Sequence, residues 1–158
     1  MRVQGLRIVR MKTHASFTRE KICNKNAVQF VSDPRCGAVA TFLGVTRADI
    51  VDGNLVGELD FESHEPLALA VLDTIVRDYR TEDPELQHVY IEHRLGRVSV
   101  GETNIILAVS AKHRKCAFRA VETLMDRIKA LVPVWKKEIY TDLTYRWIEN
   151  GEFSRNTS

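Results

Sequence analysis

A chain of 158 residues, 44% hydrophobic and 28% charged, is long enough to bury about two-thirds of its unfolded surface as one globular domain without disulfide staples. Its three cysteines, Cys23, Cys36 and Cys116, are odd in number, form no CxxC pair and have no histidine at zinc-ligand spacing, which argues against a disulfide framework or a zinc module. The net charge of +2 is too small for a protein that binds nucleic acid over its whole surface, and no apolar run approaches the roughly 18 residues of a membrane span.

The first residues are basic, with no apolar run of signal-peptide length, so a soluble cytoplasmic protein is expected, with an organelle transit peptide as the alternative. Leu6–Arg10 is expected to form a short strand. Ser16 or Thr18 then offers an N-cap for a helix reaching about Val31, closed by Asp33-Pro34. Cys36–Thr46 is small, apolar and β-branched, as in a buried strand, and Gly37 and Gly44 allow close backbone approach. Asp52-Gly53-Asn54 signals a turn into a second strand, Leu55–Ser63, so that these two strands should form a long hairpin. Pro66 opens a helix in which the apolar members of Leu67, Ala70, Val71, Thr74, Ile75 and Asp78 face the core, ending near Tyr79. Two strands, His88–Leu95 and Thr103–Ser110, lead to a helix from His113 or Arg114 to Leu131. Pro133 stops it, and Val134–Tyr140 is extended. This order predicts an α+β fold with helices packed on a mainly antiparallel sheet. One domain over residues 6–150 is expected, with 1–5 and 151–158 as loose ends.

Charge is unevenly distributed. Residues 112–137 hold eight Lys/Arg against two acids, +6 in 26 residues, so the remainder sums to −4. Such a patch attracts an anionic ligand. On a helical wheel Ala117, Phe118, Val121, Leu124, Met125, Ile128 and Leu131 form one apolar arc, opposite Lys115, Arg119, Glu122 and Asp126. Lys129 falls about 40° from Met125, at the seam, where partial desolvation and neighbouring cations would lower its pKa; the plainer reading is a lysine that snorkels past the core edge. His113 and Arg114 lie where free helix N–H groups favour an anion, or serve as ordinary capping-region residues. Strand alternation turns Lys136 and Lys137 to opposite faces, so at most one of them reaches the pocket of Lys129. His64 and the His93-Arg94 pair lack catalytic partners at fixed spacing and read as structural.

FLGVTR (Phe42–Arg47) ending the glycine-bearing strand, LDFESH, HRLGRVSVGE (His93–Glu102), VSAKHRKCAF (Val109–Phe118) and DRIKALVPVWKKEIY (Asp126–Tyr140), in this order, resemble the large, catalytic subunit of molybdopterin synthase over residues 6–150. The resemblance implies an α/β hammerhead-type fold. It also implies a homodimer of large subunits within a heterotetramer, each copy receiving the Gly-Gly thiocarboxylate tail of a small ubiquitin-like sulfur-carrier subunit. The implied reaction inserts two sulfurs into cyclic pyranopterin monophosphate, with no cofactor or metal of the protein's own. Carried over residue by residue, it assigns catalysis to Lys129 and Lys136, and substrate binding to these two with Val45, Thr46, Arg47, His113, Arg114, Lys137 and Glu138. The phosphate would be held by Arg47, His113 and Arg114. The chain departs from the family pattern in its N-terminal extension, at residues 48–54 and in its tail. A basic nucleic-acid-binding module, and an idle partner of a ubiquitin-like protein, are the competing readings. The first lacks a recognisable aromatic stacking platform, and the second predicts a missing lysine or arginine, whereas Arg47, His113, Arg114, Lys129 and Lys136 are all present.

Overall fold

A computed structural model describes residues 10–148. Nine strands and three helices follow one another as β1 (Thr13–Thr18), α1 (Asn24–Val31), β2 (Ala38–Val45), β3 (Ile50–Val51), β4 (Asn54–Ser63), α2 (Glu65–Glu82), β5 (Leu86–Arg94), β6 (Gly96–Ser99), β7 (Thr103–Ala111), α3 (Arg114–Leu131), β8 (Val134–Tyr140) and β9 (Tyr145–Ile148). The expected α+β class holds. The strands form two sheets, one ordered β1-β5-β7-β2, the other β3-β4-β8-β9 with β6 also on β4. All pairings are antiparallel except β1 with β5.

Helices α2 and α3 cover one face of the first sheet around a core that includes Leu72, Leu86, Ile91, Leu107 and Leu124. Burying each such side chain contributes about 1.5–3 kcal/mol. Short α1 covers the other face through Ala27 and Val31 against Tyr90, Ile106 and Ala108. Phe61, Leu95 and Val98 fill a smaller core associated with the second sheet. No helix among the described residues is long and apolar enough to cross a membrane.

Several expectations are corrected. The strand expected over Leu6–Arg10 lies, except for Arg10, outside the described residues. Ser16 and Thr18 belong to β1 rather than to a helix cap, because the edge of β5 offers that segment a parallel register from Thr13–Val89 to Thr18–Arg94. Arg80 fixes it further by donating to Thr13 Oγ1 (2.7 Å), the Lys12 carbonyl (2.8 Å) and the Gln87 carbonyl (2.7 Å). The helix therefore starts only at Asn24. The turn at 52–54 is present, with Asp52 at φ 50° and Gly53 at φ 81°, as a two-residue hairpin requires. It closes only the short β3–β4 pair, however, while β2 pairs with β7 in the other sheet.

The apolar arcs of both long helices hold in the main, with exceptions at Leu67, Phe118 and Leu131. In α2 the buried positions are Ala68, Leu72, Ile75, Val76 and Tyr79, leaving Leu67 exposed. Val71 packs against the core as expected, and together with Ala70, Thr74 and Asp78 it also lines a groove of about 440 Å³ with Ile75, Arg127 and Leu131. In α3 Cys116 and Ala120 are buried, whereas Phe118 is 67% and Leu131 60% exposed. Leu124, Met125 and Ile128 are buried as expected, and Val121 packs against the core; Phe118 lies at the edge of the arc and Leu131 at the helix end, where the sheet no longer covers them. At the other end of β2, a Cβ on Gly37 would sit 2.7 Å from the Lys112 carbonyl. Glycine at that position permits the entry to α3 to pack on the start of β2.

Candidate functional site

The candidate site residues divide between the two ends of α3. At its C-terminal end Lys129 stands in the last turn, where an ammonium complements the carbonyl end of the helix dipole. The chain turns at Pro133, whose carbonyl accepts a 2.9 Å bond from Ser63 Oγ. That bond pins the start of β8 to the end of β4. β8 then carries Lys136 opposite Phe61 of β4, with Glu138 opposite Leu59. Phe61 is only 7% exposed, so Lys136 stands beside an apolar wall.

This placement reverses part of the lysine reading. Lys129 is exposed, so the desolvation expected at its seam does not occur: it lies past the end of the covered arc. Lys136 is the desolvated lysine. Burial brings its pKa down from 10.5 to about 8; Glu138 opposes the fall, Lys129 and Arg47 add to it, and Asp49 opposes it. These interactions place Lys129, Arg47, Asp49 and Glu138 within electrostatic reach of one ammonium, so a strand end, a loop, a helix end and a strand interior converge on one charged site.

Arg47 follows β2 and is forked onto Asp49, with Nη2–Oδ2 at 2.9 Å and Nε–Oδ1 at 2.7 Å. Val45 is exposed. Thr46 is buried: its N–H donates to the Glu102 carbonyl (3.0 Å), its own carbonyl accepts from Gly101 N–H (2.8 Å), and Asn104 reaches its Oγ1 at 3.5 Å. Thr46 therefore anchors the loop that presents Arg47, chiefly through its backbone. Glu138 accepts bonds from Tyr140 Oη (3.1 Å) and Arg146 (3.4 Å).

Lys137 points to the other face of β8, as alternation requires. Its Nζ lies 3.3 Å from Asp60 and 3.5 Å from Glu62, and 4.8 Å and 5.7 Å from the ring centroids of Trp147 and Tyr145. Burial disfavours this ammonium, but the two carboxylates outweigh that effect and hold its pKa above the ordinary lysine value.

His113 and Arg114 occupy the N-terminal end of α3. His113 is the N-cap, with no side-chain capping bond, and both residues open onto a depression of about 400 Å³ shared with Glu85, Lys115, Cys116 and Arg119. With about 1.5 Å rise per residue, α3 separates Arg114 from Lys129 by roughly 22 Å. One copy of the chain therefore does not bring the His-Arg pair together with Arg47, Lys129 and Lys136.

The described residues with the nearest approach to a metal set are Asp83, Glu85 and Cys116, whose ligand atoms lie within 4.8 Å of one another. Arg119 is already paired with Asp83. Burial and the neighbouring Asp83 push the Cys116 thiol up to about 11, so a guanidinium and a protonated thiol face any incoming cation. His93 is buried against Phe61 (ring centroids 4.9 Å apart), and burial lowers its pKa to about 4. His64 caps α2 by accepting from Leu67 N–H at 3.3 Å. Both histidines are structural. Sequence reasoning missed Phe61, whose cross-strand position dries Lys136, and Asp49, whose place two residues after Arg47 was the available signal.

Residues 17–131 match the family model described as MoaE protein. The chain belongs to this family. It is 44% identical over 126 residues to the molybdopterin synthase catalytic subunit of Drosophila willistoni, an alignment covering 79% of this chain and 34% of that protein. It is 42% identical over 130 residues to molybdopterin synthase catalytic subunit 1 of Aedes aegypti, covering 81% and 83% of the two chains. Among MoaE-like structures, the crystal structure of molybdopterin synthase from Staphylococcus aureus superposes with a TM-score of 0.77 at 31% identity, covering 88% of this chain and 96% of that one. The chain thus spans about a third of the length of the Drosophila willistoni relative, whereas it covers most of the Aedes aegypti relative.

Proposed function

We propose that this MoaE chain is the catalytic subunit of a molybdopterin synthase, a sulfurtransferase. In this reading it moves sulfur from the C-terminal thiocarboxylate of a small ubiquitin-like carrier subunit to cyclic pyranopterin monophosphate. The observation that carries the reading is the convergence of Arg47, Lys129 and Lys136, with Lys136 brought to a pKa of about 8. Sulfur of the thiocarboxylate is the nucleophile toward the pterin side chain. Lys136 donates a proton and Lys129 stabilises developing negative charge as the side chain opens; water then cleaves the acyl–sulfur bond, so that the carrier leaves as its carboxylate and the sulfur stays on the pterin. A second charged carrier supplies the second sulfur. Because the carrier brings the nucleophile, the chain's own residues have only to bind, orient and move protons.

His113 and Arg114 hold the substrate phosphate from a second copy. A helix of roughly 22 Å is longer than a pterin monophosphate can bridge. β2 forms an edge of the first sheet and exposes Val39, Leu43 and Val45. A two-fold axis across the middle of that edge sets one copy's Arg47 end against the other's His113 end, which fits a homodimer of large subunits inside a heterotetramer. The three free thiols suit a reducing cytoplasm. The decisive experiment mixes the protein with thiocarboxylated carrier and cyclic pyranopterin monophosphate and measures molybdopterin. Absence of product with competent carrier refutes the reading.

A further inference from the structure

Residues 93–102 carry a charged pair that the proposed chemistry leaves unused. Arg94, the last residue of β5, donates from Nη1 to Glu102 Oε2 at 2.7 Å, and its side chain is only 13% exposed. Its Nε is buried with no hydrogen-bond partner among the described residues, so Glu102 supplies the counter-charge that a nearly buried guanidinium requires. The other carboxylate oxygen, Oε1, lies 2.7 Å from Lys21 Nζ. Lys21 and Arg94 together bring the Glu102 carboxyl down to about 2, and it stays ionised at neutral pH.

The backbone at this carboxylate leads to Arg47. Glu102 N–H donates to the Ser99 carbonyl (3.0 Å), closing a turn in which Gly101 stands at φ 85°, a conformation that favours glycine at the third turn position. The β2–β7 ladder ends with Val45 opposite Thr103. Thr46 prolongs it onto the turn, its N–H donating to the Glu102 carbonyl and its own carbonyl accepting from Gly101 N–H. Arg47 comes next and is 76% exposed, so the backbone behind it matters more to its placement than packing around it.

We propose that Glu102, held by Arg94, is a positioning residue for the substrate-binding arginine: it fixes the turn that clasps Thr46 and so pre-sets Arg47 for its ligand. The inference rests on the assignment of Arg47 to substrate. With the carboxylate neutralised, Arg94 loses its counter-charge, the turn loosens, and binding has to order the Arg47 loop. Affinity falls, whereas the saturated rate, assigned to Lys129 and Lys136, does not.

The test uses the full chain in its native assembly. Titration with cyclic pyranopterin monophosphate, followed by heat, gives the affinity; single turnover with thiocarboxylated carrier at saturating pterin gives the rate. Circular dichroism confirms that each variant is folded. Glu102→Gln should weaken binding about two- to tenfold and leave the saturated rate within about twofold. Arg94→Lys, which keeps the charge but loses the planar fork, should weaken binding less, and it carries the test if Glu102→Gln does not fold. In an Arg47→Ala background neither change should weaken binding further, because they act through Arg47. Unchanged affinity, a loss confined to the rate, or an equal loss of affinity with and without Arg47 overturns the inference. If Arg47→Ala itself leaves affinity unchanged, the site assignment fails and the inference fails with it. If Arg47→Ala weakens binding while Glu102→Gln and Arg94→Lys do not, only the inference fails.

Discussion

On one face of β8, Lys137 is matched by the carboxylates of Asp60 and Glu62 and lies near the rings of Trp147 and Tyr145. On the other face, Lys136 lies across from Phe61 and shares its surroundings with Lys129 and Arg47. Residue type and position along the chain are nearly identical, yet one pKa rises and the other falls to about 8. The sheet makes the difference. Alternation sends neighbours to opposite faces, and each face has its own supply of counterions and water.

Breaking the proposed active face should have the largest effect. Lys136→Met and Lys129→Ala are each expected to lower single-turnover dithiolene formation by roughly 10²-fold or more while far-UV circular dichroism stays unchanged. A near-normal rate in either variant would remove that lysine from the chemistry. Arg114→Ala should chiefly weaken substrate binding, by about tenfold, as loss of a charged hydrogen bond implies; unchanged affinity for the pterin phosphate would make the His-Arg pair structural.

Titration sharpens the same contrast. With Lys136 as proton donor, the active form is protonated, so the rate should fall as pH rises through about 8. Lys129→Ala and Arg47→Ala should move the Lys136 titration upward, followed by NMR of the ammonium or its adjacent methylene. The linkage to stability has the opposite direction from the rate. Between about 8 and 10.5 the unfolded chain holds the Lys136 proton that the folded chain has released, so this group's contribution to stability increases with pH across that window. The smallest effect is expected on the other face: Lys137→Met should leave turnover within about twofold and cost no more than about 1 kcal/mol in urea unfolding.

Much of this was legible where local chemistry decides. Pro66 and Pro133 marked one start and one stop of the long helices, Asp52-Gly53 marked a turn, and alternation separated Lys136 from Lys137. What escaped depends on distant partners. Thr13–Thr18 is a strand because β5 has an open edge, and β6 exists because β4 offers a partner to a four-residue segment. Phe118 and Leu131 belong to the apolar arc by spacing but stay exposed, because one lies at the arc's edge and the other in the last position of the helix, beyond the cover of the sheet. The dielectric around a lysine is not a property of its own helix or strand. Lys129 carried the right wheel position for desolvation, and Lys136 carried the cross-strand phenylalanine that produces it.

The 18 residues of α3 act as a gauge. The same helix carries the phosphate-gripping end of one proposed pocket and the sulfur-receiving end of the other. Removing a single residue would draw those ends together by about 1.5 Å and turn one against the other by about 100°, mis-setting both pockets of an assembled pair at once. In the proposed dimer, length in this segment is therefore under a constraint that side-chain identity alone does not express, and the two copies would inherit their spacing from each other.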